Sequence, residues 1–196
     1  MYLNRIEKCA SAGVFFFVLA LIPALASAEP LGFKRPRSTF SFGFDVFDAM
    51  LGDFGNASDV GMSVFADATI QFGGYFGAHV RFGSARAFTR KDFLPFDNGY
   101  QFIYMTVAPR FYFSPFRKLT LYFFAQPEVA LQALVSNTLV KVTGNDDITG
   151  AAGGSLGLQF LLGIISVTAQ VSCQYNWNLQ TVFLGGSLSV GLSNTI

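Results

Sequence analysis

One histidine, His79, stands among 196 residues. It is followed two positions later by Arg81 and accompanied elsewhere by Asp45, Asp67, Arg110 and Glu128. These six titratable residues share a property: each lies on the polar side of a stretch in which apolar and polar residues alternate. Three acids and two bases on one polar surface must pair with each other or be hydrated, because an isolated buried charge is very costly. Two chemistries follow: a salt-bridged filling that fixes the interior, or a gate that re-pairs to open a conduit. Charge reversal at both Arg81 and Glu128 tests the first.

Catalysis finds little footing. Serine is plentiful, but a hydroxyl without an activating base is a poor nucleophile, and the only imidazole falls just after a tight turn at 73–76. No carboxylate pair, HExxH, CxxC or phosphate-cradling glycine loop occurs, so no enzyme activity, catalytic residue, metal site or cofactor is expected. Asn145-Asp146-Asp147, and Asp48, Asp53 and Asp59, offer hard oxygens that suit calcium or cationic headgroups, and equally suit solvated loops. Glycine-rich 150–157 (GAAGGSLG) has no partnering helix and reads as strand. Cys173 is the sole thiol beyond residue 28 and cannot form an internal disulfide. On an apolar strand position it is expected to be a small buried hydrophobe.

The first 28 residues are expected to be an export signal. Arg5 and Lys8 precede the apolar run 12–21 (AGVFFFVLAL), Pro23 ends it, and Ala26-Ser27-Ala28 puts small residues where a peptidase cuts before Glu29. The run is far shorter than the ~20 residues of a spanning helix. Setting aside Arg5, Glu7 and Lys8 leaves eleven basic and eleven acidic residues. A neutral chain without a basic stripe is expected to bind no nucleic acid. With 24 Phe and 20 Gly, the composition favours pleated structure.

Alternation with a period of two places these residues. It predicts strands over 38–47, 60–73, 77–88, 99–113, 119–133, 150–161, 164–175 and 180–192. Phe40, Phe42, Phe44 and Val46 oppose Ser41, Gly43 and Asp45. Asp67, Arg81, Arg110 and Glu128 fall on the corresponding polar faces. A soluble sandwich or lipocalin-like barrel would alternate likewise, with its polar face outward. Eight segments of ten or more residues, whose apolar faces are nearly free of charge, instead suit tilted strands crossing hydrocarbon. Unpaired strand edges are untenable there, so the sheet must close into an eight-stranded antiparallel up-and-down barrel with a narrow interior. Tight connections (73–76, 114–118, 161–163) alternate with longer ones (48–59, 89–98, 144–150 and a shorter one near 176–179). This places the long loops outside and both termini of residues 29–196 in the periplasm. Phe72, Tyr75, Phe76, Phe96, Tyr100, Phe113, Phe116, Tyr175 and Trp177 fit interfacial girdles or ordinary packing.

The Phe/Gly-rich first strand (TFSFGFD, 39–45), the hairpin QFGGYFG (71–77) and the closing GGSLSVGL (185–192) resemble the small eight-stranded bacterial outer-membrane barrels of the OmpW, OmpX and OmpA transmembrane-domain kind. That family usually ends in an aromatic residue, whereas this chain ends in Ile196. The resemblance implies a monomer among outer-membrane lipids, inserted by the barrel-assembly machinery, and passive passage of small, even apolar, solutes. A non-conducting surface protein with contact-making loops is the alternative.

Overall fold

A computed structural model describes residues 37–50, 58–72, 75–89, 99–113, 121–134 and 148–195. Eight strands follow in order: β1 (Arg37–Met50), β2 (Ser58–Phe72), β3 (Phe76–Thr89), β4 (Gly99–Phe113), β5 (Leu121–Leu134), β6 (Ile148–Leu162), β7 (Ile165–Asn176) and β8 (Thr181–Thr195). Each pairs antiparallel with its sequence neighbour, and β1 also pairs with β8, closing the barrel. The predicted strands are recovered, with ends shifted by a few residues. Residues 1–36, 51–57, 73–74, 90–98, 114–120, 135–147 and 196, and with them the expected leader, much of the expected connections, Phe96, Phe116, Asn145-Asp146-Asp147 and Asp53, lie outside the described residues.

The period-two pattern becomes an inside and an outside. Phe42, Val64 and Leu192 leave 64%, 66% and 64% of their surface uncovered, while Ser41, Ser63, Thr106 and Ser189 are buried. A surface of bare Phe, Val, Leu and Ile around a polar interior inverts the usual globular arrangement and is stable only against hydrocarbon. Strands of 12 to 15 residues rise roughly 40–50 Å, or about 28–35 Å once tilted by ~45°, enough for the apolar core. Asp48 and Arg86, the outward-facing charges on β1 and β3, sit near the loop ends. Phe72 stacks on Phe76, which meets Phe111, and Phe113 stacks on Phe123 at the opposite, terminal end. These outward rings form an aromatic collar there.

Two connections carry local signals. Leu162 pairs with Ile165 across Gly163–Ile164, and Gly163 takes φ +64°. Glycine in the first central position with positive φ is the type II′ arrangement, and the strands flanking the expected 161–163 turn end and resume one residue later than expected. Between β7 and β8, Asn176 Oδ1 accepts the Leu179 amide at 2.9 Å, and Gln180 closes the turn at φ 47°. Cys173 is exposed on the outward face beside Val171, correcting the expected buried thiol: strand parity, not polarity, sets its side.

Besides a register shift between Ser58 and Gly61 where β2 meets β3, the described wall is interrupted between β4 and β5. In β4–β5 the ladder runs from Phe102↔Leu134 to Val107↔Val129 and resumes at Phe111↔Ala125 in unchanged register. That register sets Pro109 opposite Pro127, both outward-facing. Neither has an N–H, so the two hydrogen bonds that would join this pair cannot form. Proline is normally excluded from interior strands, and a closed barrel has no edge to which it could be consigned.

Candidate functional site

The six residues predicted to line the lumen all point into it. Asp45 is partly buried, and Asp67, His79, Arg81, Arg110 and Glu128 are buried. Their positions follow from register: Asp67 is the Cα partner of both Ser41 and Arg81, and Thr69 of His79. Register also sets Arg110 opposite Gln126 on the next wall, directly behind the Pro109–Pro127 break.

The interior has layers. At the terminal end, Tyr112, Tyr122, Phe124 and Leu161 pack together. At the loop end, Phe47, Ala49, Ala85, Ala87 and Phe102 do the same, with Tyr104, Leu179 and Phe183 against them. Polar side chains fill the space between. Arg110 lies with its guanidinium carbon 4.1 Å from the centre of the Phe124 ring, donates from Nε to Gln126 Oε1 at 2.5 Å, and reaches His79 Nδ1 at 3.0 Å. A guanidinium only donates, so Nδ1 must accept, and the imidazole proton belongs on Nε2. That atom is buried without a partner. Thr69 Oγ1 also contacts Nδ1, at 2.9 Å.

The same logic orients Gln126. Its oxygen faces Arg110, so its amide nitrogen faces Glu128, 2.5 Å from Oε1. Glu128 accepts further from Ser155 Oγ at 2.7 Å and Gln174 Nε2 at 2.6 Å. The carboxylate is thus a hub joining β5, β6 and β7, and Gln126 relays Arg110 to it. Arg81 takes the face of Phe65, 3.8 Å from the ring centre, and its ion pair is with Asp67 at 3.5 Å, not with Glu128. Ser41 Oγ donates to Asp67 as well. This is the one ion pair among the described residues. Neutral amides and hydroxyls carry most of the load expected of salt bridges.

Between this layer and the loop-end aromatics lies a cavity of ≈ 60 Å³. Its walls include Asp45, Ser63, Arg81, Tyr104, Glu128 and Gln174, with Phe102 and Phe183 toward the loops. Glutamines 126, 132 and 174 were not singled out in the sequence. The alternation that placed Glu128 inward also places them inward, and their amides supply the dual donor–acceptor function that the network uses. Among the described residues no group of His, Cys, Asp and Glu is arranged to hold a metal.

No family model and no curated protein sequence matches this chain. Solved structures do. Neisserial surface protein A is similar at 15% identity with a TM-score of 0.53, covering 81% of this chain and 97% of its own. The attachment invasion locus protein Ail of Yersinia pestis, solved with the heparin analogue sucrose octasulfate, gives 16% and 0.52 over 82% of this chain and 99% of its own. The outer membrane protein OprG from Pseudomonas aeruginosa gives 10% and 0.55 over 86% and 100%. At such identities the likeness establishes the architecture: this is the fold of the small eight-stranded outer-membrane barrels.

Proposed function

We propose that this chain is an integral protein of a bacterial outer membrane, with both barrel termini periplasmic, and that it is a narrow conduit for small molecules, closed at rest. The carrying observation is the cavity and what lies beneath it. The space opens above Arg81 and Glu128 and continues toward the terminal end as a column of hydrogen-bonded polar side chains. Amide and hydroxyl links exchange partners one at a time, at about 1 kcal/mol net each, so the column can re-pair without stranding a full charge. The β4–β5 wall behind Arg110 and Gln126 lacks two ladder bonds, which leaves that section free to move with them. Polar lining favours small polar or amphipathic solutes over apolar ones.

Single-channel recording and liposome swelling with the refolded chain test this. Wild type is expected to show rare, brief openings, and Gln126→Ala, which removes the relay, longer ones. Impermeability of both proteins to ions and to small polar solutes sinks the conduit. A second reading then stands: a non-conducting surface protein working through its outer loops. The filled layer of Tyr112, Tyr122, Phe124 and Leu161 at the terminal end favours it, and the attachment role in the name of the Yersinia barrel is a precedent for such use of the scaffold. Loop-dependent binding to cells by the silent protein is its test.

A further inference from the structure

We infer that the loop-end cavity is a binding site for one monovalent cation, with the Asp45 carboxylate as its counter-charge. The lumen's charges do not balance where the cavity lies. Asp67 is matched by Arg81, and Glu128 is matched through Gln126 by Arg110. His79, accepting from Arg110, is neutral. Asp45 is left over: its Oδ1 is buried without a hydrogen-bond partner, and among the described residues no cation stands within ion-pair distance. Arg37, the one basic residue on β1, is eight positions away at the opposite end, roughly 26 Å along the strand. An uncompensated carboxylate in a confined, low-dielectric site either acquires a counter-ion or is neutralised by a proton.

The wall around Asp45 is shaped for the first outcome. Gly185 lies beside the carboxylate, and a Cβ there would sit 2.9 Å from Oδ1 and 3.1 Å from Ser172 Oγ. A side chain at position 185 would crowd the carboxylate and the Ser172 hydroxyl, and glycine leaves them room beside the cavity. The Ser63 and Tyr104 hydroxyls, 3.1 Å apart, and the Gln132 amide add oxygens to the wall, where the Arg81 guanidinium is already held by Asp67. A volume of ≈ 60 Å³ holds roughly two water-sized groups at about 30 Å³ each, enough for an alkali ion with one water or for methylammonium. One free negative charge matches one positive charge. A divalent ion would leave an excess charge and lack the several anionic ligands it prefers.

The test is urea unfolding of the refolded full chain in detergent at fixed ionic strength. Sodium, potassium or methylammonium chloride replaces N-methylglucamine chloride, whose cation is too large to enter. The unfolding constant is expected to fall by a factor of one plus the ratio of cation concentration to Kd, about tenfold when the cation is at nine times its dissociation constant. The relative strengths of the three identify the cation. The effect should vanish in Asp45→Asn and persist in Asp48→Asn, whose side chain faces outward. A flat wild-type response, an undiminished effect in Asp45→Asn, or saturation by calcium in preference to all three overturns the inference. Should Asp45→Asn fail to refold, NMR of wild type with labelled methylammonium decides: cross-relaxation with the Tyr104 or Phe102 ring supports the site, and its absence at saturating concentration refutes it. Stability and contacts are read, not current, so a silent channel leaves this inference standing.

Discussion

Replacing Glu128 by leucine removes the acceptor for Gln126, Ser155 and Gln174 at one stroke. Each buried donor left unsatisfied costs about 1–3 kcal/mol. Arg110 also loses the charge to which Gln126 relays it, and breaking a buried ionic arrangement from one side costs about 3–5 kcal/mol. Because the three donors can re-pair within the cavity, most of their cost is recovered and the ionic part remains: a loss of about 3–5 kcal/mol. Glu128→Gln behaves differently. Gln126 and Ser155 both donate to Oε1, which an amide oxygen can replace. Only Gln174, bonded to Oε2, would face an amide nitrogen, and turning its own amide over restores that bond. What remains lost is the charge, worth about 1–2 kcal/mol on the scale of charged over neutral hydrogen bonds. Urea unfolding of the refolded chain in detergent, followed through tryptophan fluorescence, measures both. Equal losses in the two variants, or a leucine variant as stable as wild type, would refute the hub.

Three further outcomes follow from the wall. Gly153→Ala is expected to abolish assembly, since its Cβ would lie 2.0 Å from the Cys173 carbonyl oxygen, whereas Gly186→Ala, with nothing within 4 Å, refolds normally; heat-modifiable gel mobility separates them. Val64→Lys sets a charge on the belt where 66% of the side chain is bare, and an equilibrium-unfolding loss of about 2–4 kcal/mol is expected. Pro109→Val with Pro127→Val gives back two N–H donors to the β4–β5 ladder, so about 2 kcal/mol of stability and slowed amide exchange at 108–110 and 126–128 are expected; unchanged exchange contradicts the reading of that gap.

Parity along the strand was enough to fix which residues face in. A regular strand turns its side chains to alternate sides, so Asp45, Asp67, His79, Arg81, Arg110 and Glu128 could be assigned to the lumen before any partner was known. The same rule, applied without regard to residue type, puts Cys173 outside. Closure was also legible, because eight apolar-faced strands with an open edge have no place in hydrocarbon. Partners were not legible. Whether Arg81 meets Asp67 or Glu128 depends on register between strands and on stagger around the barrel, which no single strand encodes. Nothing in either strand alone links Pro109 with Pro127. Only pairing brings them face to face, eighteen residues apart in sequence, and converts two missing donors into one gap behind the Arg110–Gln126 contact. The cavity beside Asp45 is likewise a property of packing: Gly185 belongs to the last strand and Asp45 to the first, and the space between them exists only once the barrel has closed.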